Sequence, residues 1–593
     1  MDELLFYDIE VFKYDSLVVF KDIKNNVIAK LWNSQNEDFA EPNGFEAVPG
    51  IIKDKTLVGY NNYGYDDYVL TVMLKGFPQK YIKSMNDNII QGKGPNVPVS
   101  NLIHSIDTMQ QIDTGFPSLK QIEGNMGRSI IESEIDFNID RKLTPEEKVI
   151  VERYCEYDVE STIKVYLLRK ESYFDIKQSL VDMMPDKNKD LAYRWNTTTI
   201  SAAILTDEHN LPEWDAVRIP NNLWRNVEGI PSDVWDMWED MTKSKETVVG
   251  KGKSKTIKAF GCNVVFGLGG LHGAPAKGGV YENVDLDDVG SMYPSAIKIL
   301  DGLGDATELY DGMRKERLKI KHTEPIRANA LKLILNSVYG NFKNKYSKLY
   351  NPMASASVCI YGQIAIFTLS RMLYDAGFQI VNINTDGVAF VSDPQRVAEH
   401  EEIKAKWEEM FSGFSLETDH FDKWIQKDVN NYIATRGKKI KVKGGDVNKY
   451  DTNKWFSNNN CRIVQIALVE NLVNGTPIYK TLMDNMDNPM LWQYVLKAGP
   501  TYDGTVTKNY EKMQNVNRIF AASEEYANKH PESITTLYKL RKDGGLVNYP
   551  DVPERMFLWN GDVRDLADFS QMFDFDHYAN LIKKKMEGWP HVC

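Results

Sequence analysis

The sequence predicts a multidomain chain of mixed α/β and α+β units, and three observations carry that prediction. The chain has 593 residues, more than one hydrophobic core organises, so several compact units are expected. It is 42% hydrophobic and 26% charged, the composition of a folded protein rather than a disordered tail. Short apolar strand-like runs alternate with helical periodicity near the N-terminus and again in the middle of the chain.

The elements follow in order. ELLFYDI (3–9), SLVVF (16–20) and TLVGY (56–60) read as strands, with a helix starting at Asp66 or Asp67. Residues 86–101 carry turn residues and read as a surface loop. Thr144-Pro145-Glu146-Glu147 is a helix start, with Thr as cap, Pro at the first helical position and Glu at the third. That helix is expected to reach about Tyr173. Residues 174–260 are mixed, with Trp214, Trp224, Trp235 and Trp238, then a Lys/Gly/Ser stretch at 243–255 that reads as a mobile loop or a connection. GGVYENVDLDD (278–288) reads as a strand leading into a site. Pro325–Tyr339 and Ala354–Ala376 are helical, Gly377 capping the second. FQIVNIN and VAFV form a hairpin with Asp386 at its tip. Residues after about 450 read as mostly helical.

The net charge of -12 argues weakly against nucleic acid, but a phosphate backbone sees the local field. Basic clusters stand at Lys251–Lys258, Arg314–Lys321, Lys343–Lys348 and Arg436–Lys443. The five cysteines, Cys155, Cys262, Cys359, Cys461 and Cys593, make no CxxC pair; the pattern points to a reducing cytosol and a cytoplasmic protein. The N-terminus lacks a signal-peptide pattern, and no apolar run is expected to span a membrane.

Two carboxylate clusters stand out. Asp8 and Glu10 are two apart on a strand and share a face; a pair of acids there calls for a cation between them. Asp66 follows Asn61-Asn62-Tyr63-Gly64-Tyr65 at a strand-to-helix junction. Tyr154 and Asp158 lie i and i+4 on the long helix. Alone, each is an ordinary surface acid. Together, acids from a strand, a helix start and a helix can converge on two divalent ions that drive phosphodiester hydrolysis, with Tyr154 orienting the attacking water. In the second cluster, Asp288-Val289-Gly290-Ser291-Met292-Tyr293-Pro294-Ser295 closes a strand and Asp386 tips the later hairpin. Between them Lys332, Asn336 and Tyr339 make one polar helical stripe. Two aspartates, a lysine and packed tyrosines are what phosphoryl transfer needs, since it is mostly positioning and charge neutralisation.

The first set resembles the proofreading 3′→5′ exonuclease of DNA polymerases, an RNase H-like fold with motifs DxE, NxxYD and YxxxD. The second resembles family B DNA polymerases, whose motifs read DxxSMYPS, KxxxNSxYG and a strand-turn-strand Asp. The resemblance covers roughly 1–450 and, in its compactness, the phage type. It implies an exonuclease domain (1–190), a connecting segment (191–260), a palm (261–310 and 346–450), fingers (311–345) and a thumb (451–593). It implies two Mg²⁺ ions per active site, or Mn²⁺, held by Asp8, Glu10, Asp66 and Asp158 in one site and by Asp288, the Val289 carbonyl and Asp386 in the other. Tyr154 would be catalytic and Asn62 would contact the primer terminus. Lys332 and Asn336 would bind the triphosphate, with Arg317 and Lys321 (Arg314 a rival) on the fingers. Tyr293 would exclude a 2′-hydroxyl, and Tyr339 would lie under the nascent pair. Gly269, Gly270, Tyr432 and Lys443 would touch DNA. Primer–template DNA and dNTPs are the implied partners, with phage replication proteins beside them and the chain itself a monomer.

Three departures stand against the family pattern. Asn384-Thr385-Asp386-Gly387 replaces the usual D-T-D-S. Gly267-Leu268-Gly269-Gly270 lacks the tyrosine of Y-x-G-(G/A). Asn430-Asn431-Tyr432 replaces Lys-x-Tyr, with Arg436–Lys443 as a substitute for the lysine. Only 44 positions separate Asp288 from Lys332, and 54 separate Lys332 from Asp386, which leaves little room for the insertions of protein-primed phage enzymes. A nuclease with an impaired polymerase half, and a non-catalytic nucleic-acid-binding protein, are the competing readings.

Overall fold

The computed structural model describes residues 3–33, 44–451, 455–566 and 569–590; Cys593 lies outside them. The N-terminal unit is a five-stranded sheet in the order β3-β2-β1-β4-β5. Its strands are β1 (Glu3–Val11), β2 (Ser16–Lys21), β3 (Val27–Asn33), β4 (Lys55–Gly59) and β5 (Ser105–Asp107). β1 runs antiparallel to β2 and parallel to β4. The helix Pro145–Arg169 starts at the Thr144–Glu147 capping box and packs on β1 and β2. It continues through one π-turn to Phe174.

The second unit is a nine-stranded antiparallel sheet in the order β14-β13-β12-β9-β11-β10-β8-β7-β6. These are β6 (Lys255–Ala259), β7 (Cys262–Phe266), β8 (His272–Ala274), β9 (Gly279–Val289), β10 (Ile380–Asn384), β11 (Gly387–Val391), β12 (Leu416–Asp428), β13 (Asn431–Arg436) and β14 (Lys439–Lys443). One face is covered by the helix Pro352–Asp375, apolar and buried along most of its length. It is long and apolar enough to cross a membrane, but here it is the spine of the largest core, packed among Ile297, Phe390 and Trp407. Gly377 ends it at φ +88°, a conformation glycine adopts without strain. A helical hairpin, Thr307–Ile320 and Pro325–Asn341, projects from this unit, its tip exposed from 321 to 327.

Two expectations are corrected. Residues 86–90 are not loop but the last turn of a helix, Gln79–Ile90, whose Ile82 and Met85 reach the core. The C-terminal region is not mostly helical. Helices Arg462–Asn474, Ile478–Asp484 and Phe575–Met586 surround a four-stranded and a three-stranded sheet. The strand Val516–Ala521 shows why alternation missed it: all six residues are buried, Asn517 and Arg518 included, so the pattern has no polar face to betray a period of two.

Arg518 ties this lobe to the first unit. Fully buried, it donates to Gln493 Oε1 at 2.7 Å, to Gly561 O at 2.6 Å, and across the seam to Gly124 O at 3.0 Å and Arg128 O at 2.7 Å. Ile130 N–H donates to Asn560 O at 2.7 Å, and Val563 N–H to Gly127 O at 2.9 Å. Glu132 accepts from the amides of Asn515 and Val516 at 2.9 and 3.0 Å.

Candidate active sites

The first site forms where β1 meets the long helix. Strand alternation puts Asp8 and Glu10 on the face that the helix covers. A ligand atom from each of Asp8, Glu10 and Cys155 lies within 4.8 Å of the others, and the Cys155 thiol donates to Asp8 Oδ2 at 3.5 Å. Asp66 and Asp158 stand close enough that their charges act on this pair. Burial, then mutual repulsion, pushes Asp8 up to about 7 and Glu10 and Asp66 well above the usual carboxylate range. Asp66 and Asp67 are adjacent but differ in kind. Asp67 is fully buried and held by Tyr7 Oη at 2.6 Å, Ser105 Oγ at 2.7 Å and Arg194 at 2.6 Å. Those partners make it a structural anchor and leave Asp66 to the cluster.

Two side chains modify the expectation. Asn62 has no exposed surface: its Nδ2 donates to Asp67 Oδ1 at 3.1 Å, so it braces the turn before Asp66 rather than facing a primer terminus. Lys120, which no motif indicated, forms an ion pair with Asp158 and lies 4.6 Å from the centre of the Tyr154 ring. Burial disfavours its charge, but Asp158 and Glu123 outweigh that and hold it protonated. Tyr154 stands one turn before Asp158 on the same helix face, and the Asp158 charge acts on its hydroxyl. Lys120 sits on the short helix Leu119–Asn125, started by a Ser118–Gln121 capping box; a Ser three residues before a Gln is the signal that could have placed it.

The second site lies at the centre of the nine-stranded sheet. β9 pairs with β11 so that Asp288 faces Gly387, and Val289 N–H donates to Asp386 O at 2.8 Å. Residues almost a hundred positions apart are thereby side by side. Asp287 points to the other face, held by His400 Nε2 at 2.8 Å and Thr418 Oγ1 at 2.7 Å. Asp288 and Asp386 are both open to solvent. Partial burial, then the charge of Asp386, pushes Asp288 up to about 7, against Lys441. Asp386 is pushed up by burial, with Lys443 and Lys441 opposing. Lys441 and Lys443 stand on β14, one strand beyond Tyr432.

Tyr293 and Tyr339 pack with ring centroids 4.3 Å apart. Lys332 and Asn336 are exposed on the same helix as Tyr339. Arg314 is committed to Asp311 at 2.8 Å, as is Lys315 at 2.8 Å. Among the described residues no carboxylate lies within 4.0 Å of Arg317, Lys321 or Lys332, so these three cations keep their charge available. Gly269 O accepts from Gln363 Nε2 at 2.9 Å, and Gly270 lies against Thr385. Tyr432 is buried and stacked on Trp424, centroids 4.2 Å apart.

Both donor sets suit a hard divalent cation. They offer carboxylate oxygens, the donors such a cation takes, and burial is the first cause of their raised pKa values.

No protein-family model matches the sequence, and no curated protein matches it. Among solved structures, the chain is similar to the family B DNA polymerase from the hyperthermophilic archaeon Pyrobaculum calidifontis, at 13% sequence identity and a TM-score of 0.43, over 100% of this chain and 78% of that one. The functional reading therefore rests on the side chains.

Proposed function

We propose that this chain is a DNA-directed DNA polymerase with a 3′→5′ proofreading exonuclease, acting on primer–template DNA and dNTPs as a monomer, in phage-type replication within a host cytoplasm. The observation that carries the reading is the pairing of β9 with β11, which sets Asp288 beside Asp386, with Tyr293 in the field of Asp386 and packed on Tyr339. Divalent cations bound by the two carboxylate sets would supply charge neutralisation and activate a 3′-hydroxyl in one site and a water in the other. The chain's own residues do the rest. Lys332 and Asn336 orient the triphosphate from the helical hairpin, with Arg317 and Lys321 beside them. The Tyr293–Tyr339 pair walls the sugar and nascent base pair. Lys441 and Lys443 oppose the rise that burial imposes on Asp288 and Asp386. In the exonuclease, Lys120 does the same for Asp158, and Tyr154 stands one turn before Asp158 on the same helix face. One feature favours a second reading, a nuclease with an impaired polymerase half: Asn384 stands where the family has an acid.

A 5′-labelled primer–template with Mg²⁺ or Mn²⁺, with and without dNTPs, tests both. Extension with dNTPs and shortening without them is the expected result. Shortening under both conditions supports the nuclease, and an unchanged primer removes both.

A further inference from the structure

Asn384 has a use of its own in this fold. Its Nδ2 donates to the carbonyl oxygen of Val429 at 3.2 Å. Asn382, two residues earlier on the same face of β10, donates to the same oxygen at 3.2 Å. Val429 lies in the tight turn between β12 and β13, closed by Asp428, which accepts from the amides of Asn430 and Asn431 at 2.8 and 2.9 Å. A backbone carbonyl has two lone pairs, and β10 fills both. The next inward-facing residue beyond the turn is Tyr432, whose hydroxyl is pushed up to about 12 by burial and by the charges of Asp288 and Asp386. The turn therefore sets where the Tyr432 ring, one wall beside Asp288 and Asp386, stands.

We infer that Asn384 is a positioning residue, whose amide pins the Val429 turn and through it the Tyr432 wall, and that it is not a degraded metal ligand. The inference rests on the polymerase reading above. A carboxylate at 384 has no proton for the Val429 carbonyl and would set two oxygens against each other at hydrogen-bond distance. It would also add a negative charge two residues from Asp386, whose own charge Lys443 and Lys441 already oppose.

The experiment uses the full chain as wild type, N384D, N384A, Y432A and N384A/Y432A. Hydrogen exchange over residues 428–433 reads the pin directly and needs no activity. Both Asn384 variants are expected to exchange faster there. Primer–template Kd is expected to rise roughly three- to ten-fold in N384A, the worth of one hydrogen bond, with the KM for dNTP unchanged and N384D weaker still. The double variant is expected to bind no worse than Y432A, because the two act through one contact. N384D extending primers as well as wild type overturns the inference, since a restored ligand would do that. Unchanged exchange in both variants overturns it too. If N384D does not fold, N384A and its double variant decide the matter by the same measures. A wild type that fails to extend removes the polymerase reading, and exchange alone then decides whether the pin exists.

Discussion

Gly270→Ala gives the sharpest test of how the polymerase site is held. A Cβ at Gly270 would lie 2.2 Å from Thr385 Oγ1, 2.7 Å from Thr385 Cβ and 2.8 Å from Thr385 Cγ2. All three are below any real carbon contact, and Thr385 has no room to give. It sits at φ +58° at the hairpin tip, and its amide donates to Leu271 O at 2.7 Å. The clash has to move the turn that carries Asp386. Overpacking of this kind costs roughly 1–3 kcal/mol, and a shift of about 1 Å in a reacting group costs about a hundred-fold in rate. The expected result is a loss of primer extension of that order, with degradation of single-stranded 3′ ends unchanged, because the first site is built on a different sheet. Extension and degradation are measured on the same labelled oligonucleotides. Thr385→Gly in the G270A background removes every atom contacted, and glycine tolerates the positive φ, so the double variant is expected to recover most of the loss. The reasoning is refuted if G270A extends normally, or if both activities fall together in a folded protein.

Other expectations follow from the same geometry. D386N is expected to reduce extension by roughly a thousand-fold while sparing degradation, and the pair Asp8→Ala and Glu10→Ala to do the reverse; a single gel scores both. K120A is expected to slow degradation roughly ten- to a hundred-fold, as loss of a residue supporting a ligand does, without changing extension. Asp8 and Asp288, normally near 3.8, are both pushed up to about 7. The folded, chelator-treated protein therefore keeps protons that the unfolded chain has released, and its stability falls as pH rises from about 4 through about 7. Thermal unfolding with chelator is expected to give a lower midpoint at pH 8 than at pH 5.5. Adding Mg²⁺ or Mn²⁺ is expected to recover the loss at pH 8, and an equal midpoint at the two pH values would refute it.

The sequence made the acids legible because strand and helix periods fix which residues share a face. Asp8 with Glu10, and Tyr154 with Asp158, follow from spacing alone. The choice of Asp288 over Asp287 needed the family pattern; in the fold Asp287 is taken up by His400 and Thr418, while Asp288 is open to solvent. What was not legible depends on contacts far apart in the chain. Lys120 reaches Asp158 across 38 positions, and Asn62 is buried by a turn that no local pattern describes. β3 and β5 are short or half-exposed, and the C-terminal strands bury polar residues such as Asn517 and Arg518, so neither periodicity nor polarity marks them.

The Arg518 seam has a mechanical meaning. The N-terminal unit joins the second unit through residues 175–206, which pack on the helix Pro325–Asn341 and where Tyr63 Oη donates to Tyr193 O at 2.9 Å and Arg194 reaches Asp67. The sheet joins the C-terminal lobe through Trp589, packed with Ile425, Ile433 and Leu468. The lobe then returns to the N-terminal unit through Arg518. The three bodies thus close into a ring, and a ring cannot open at one joint without loading the other two. The tip of the helical hairpin, exposed at 321–327, stands outside that circuit.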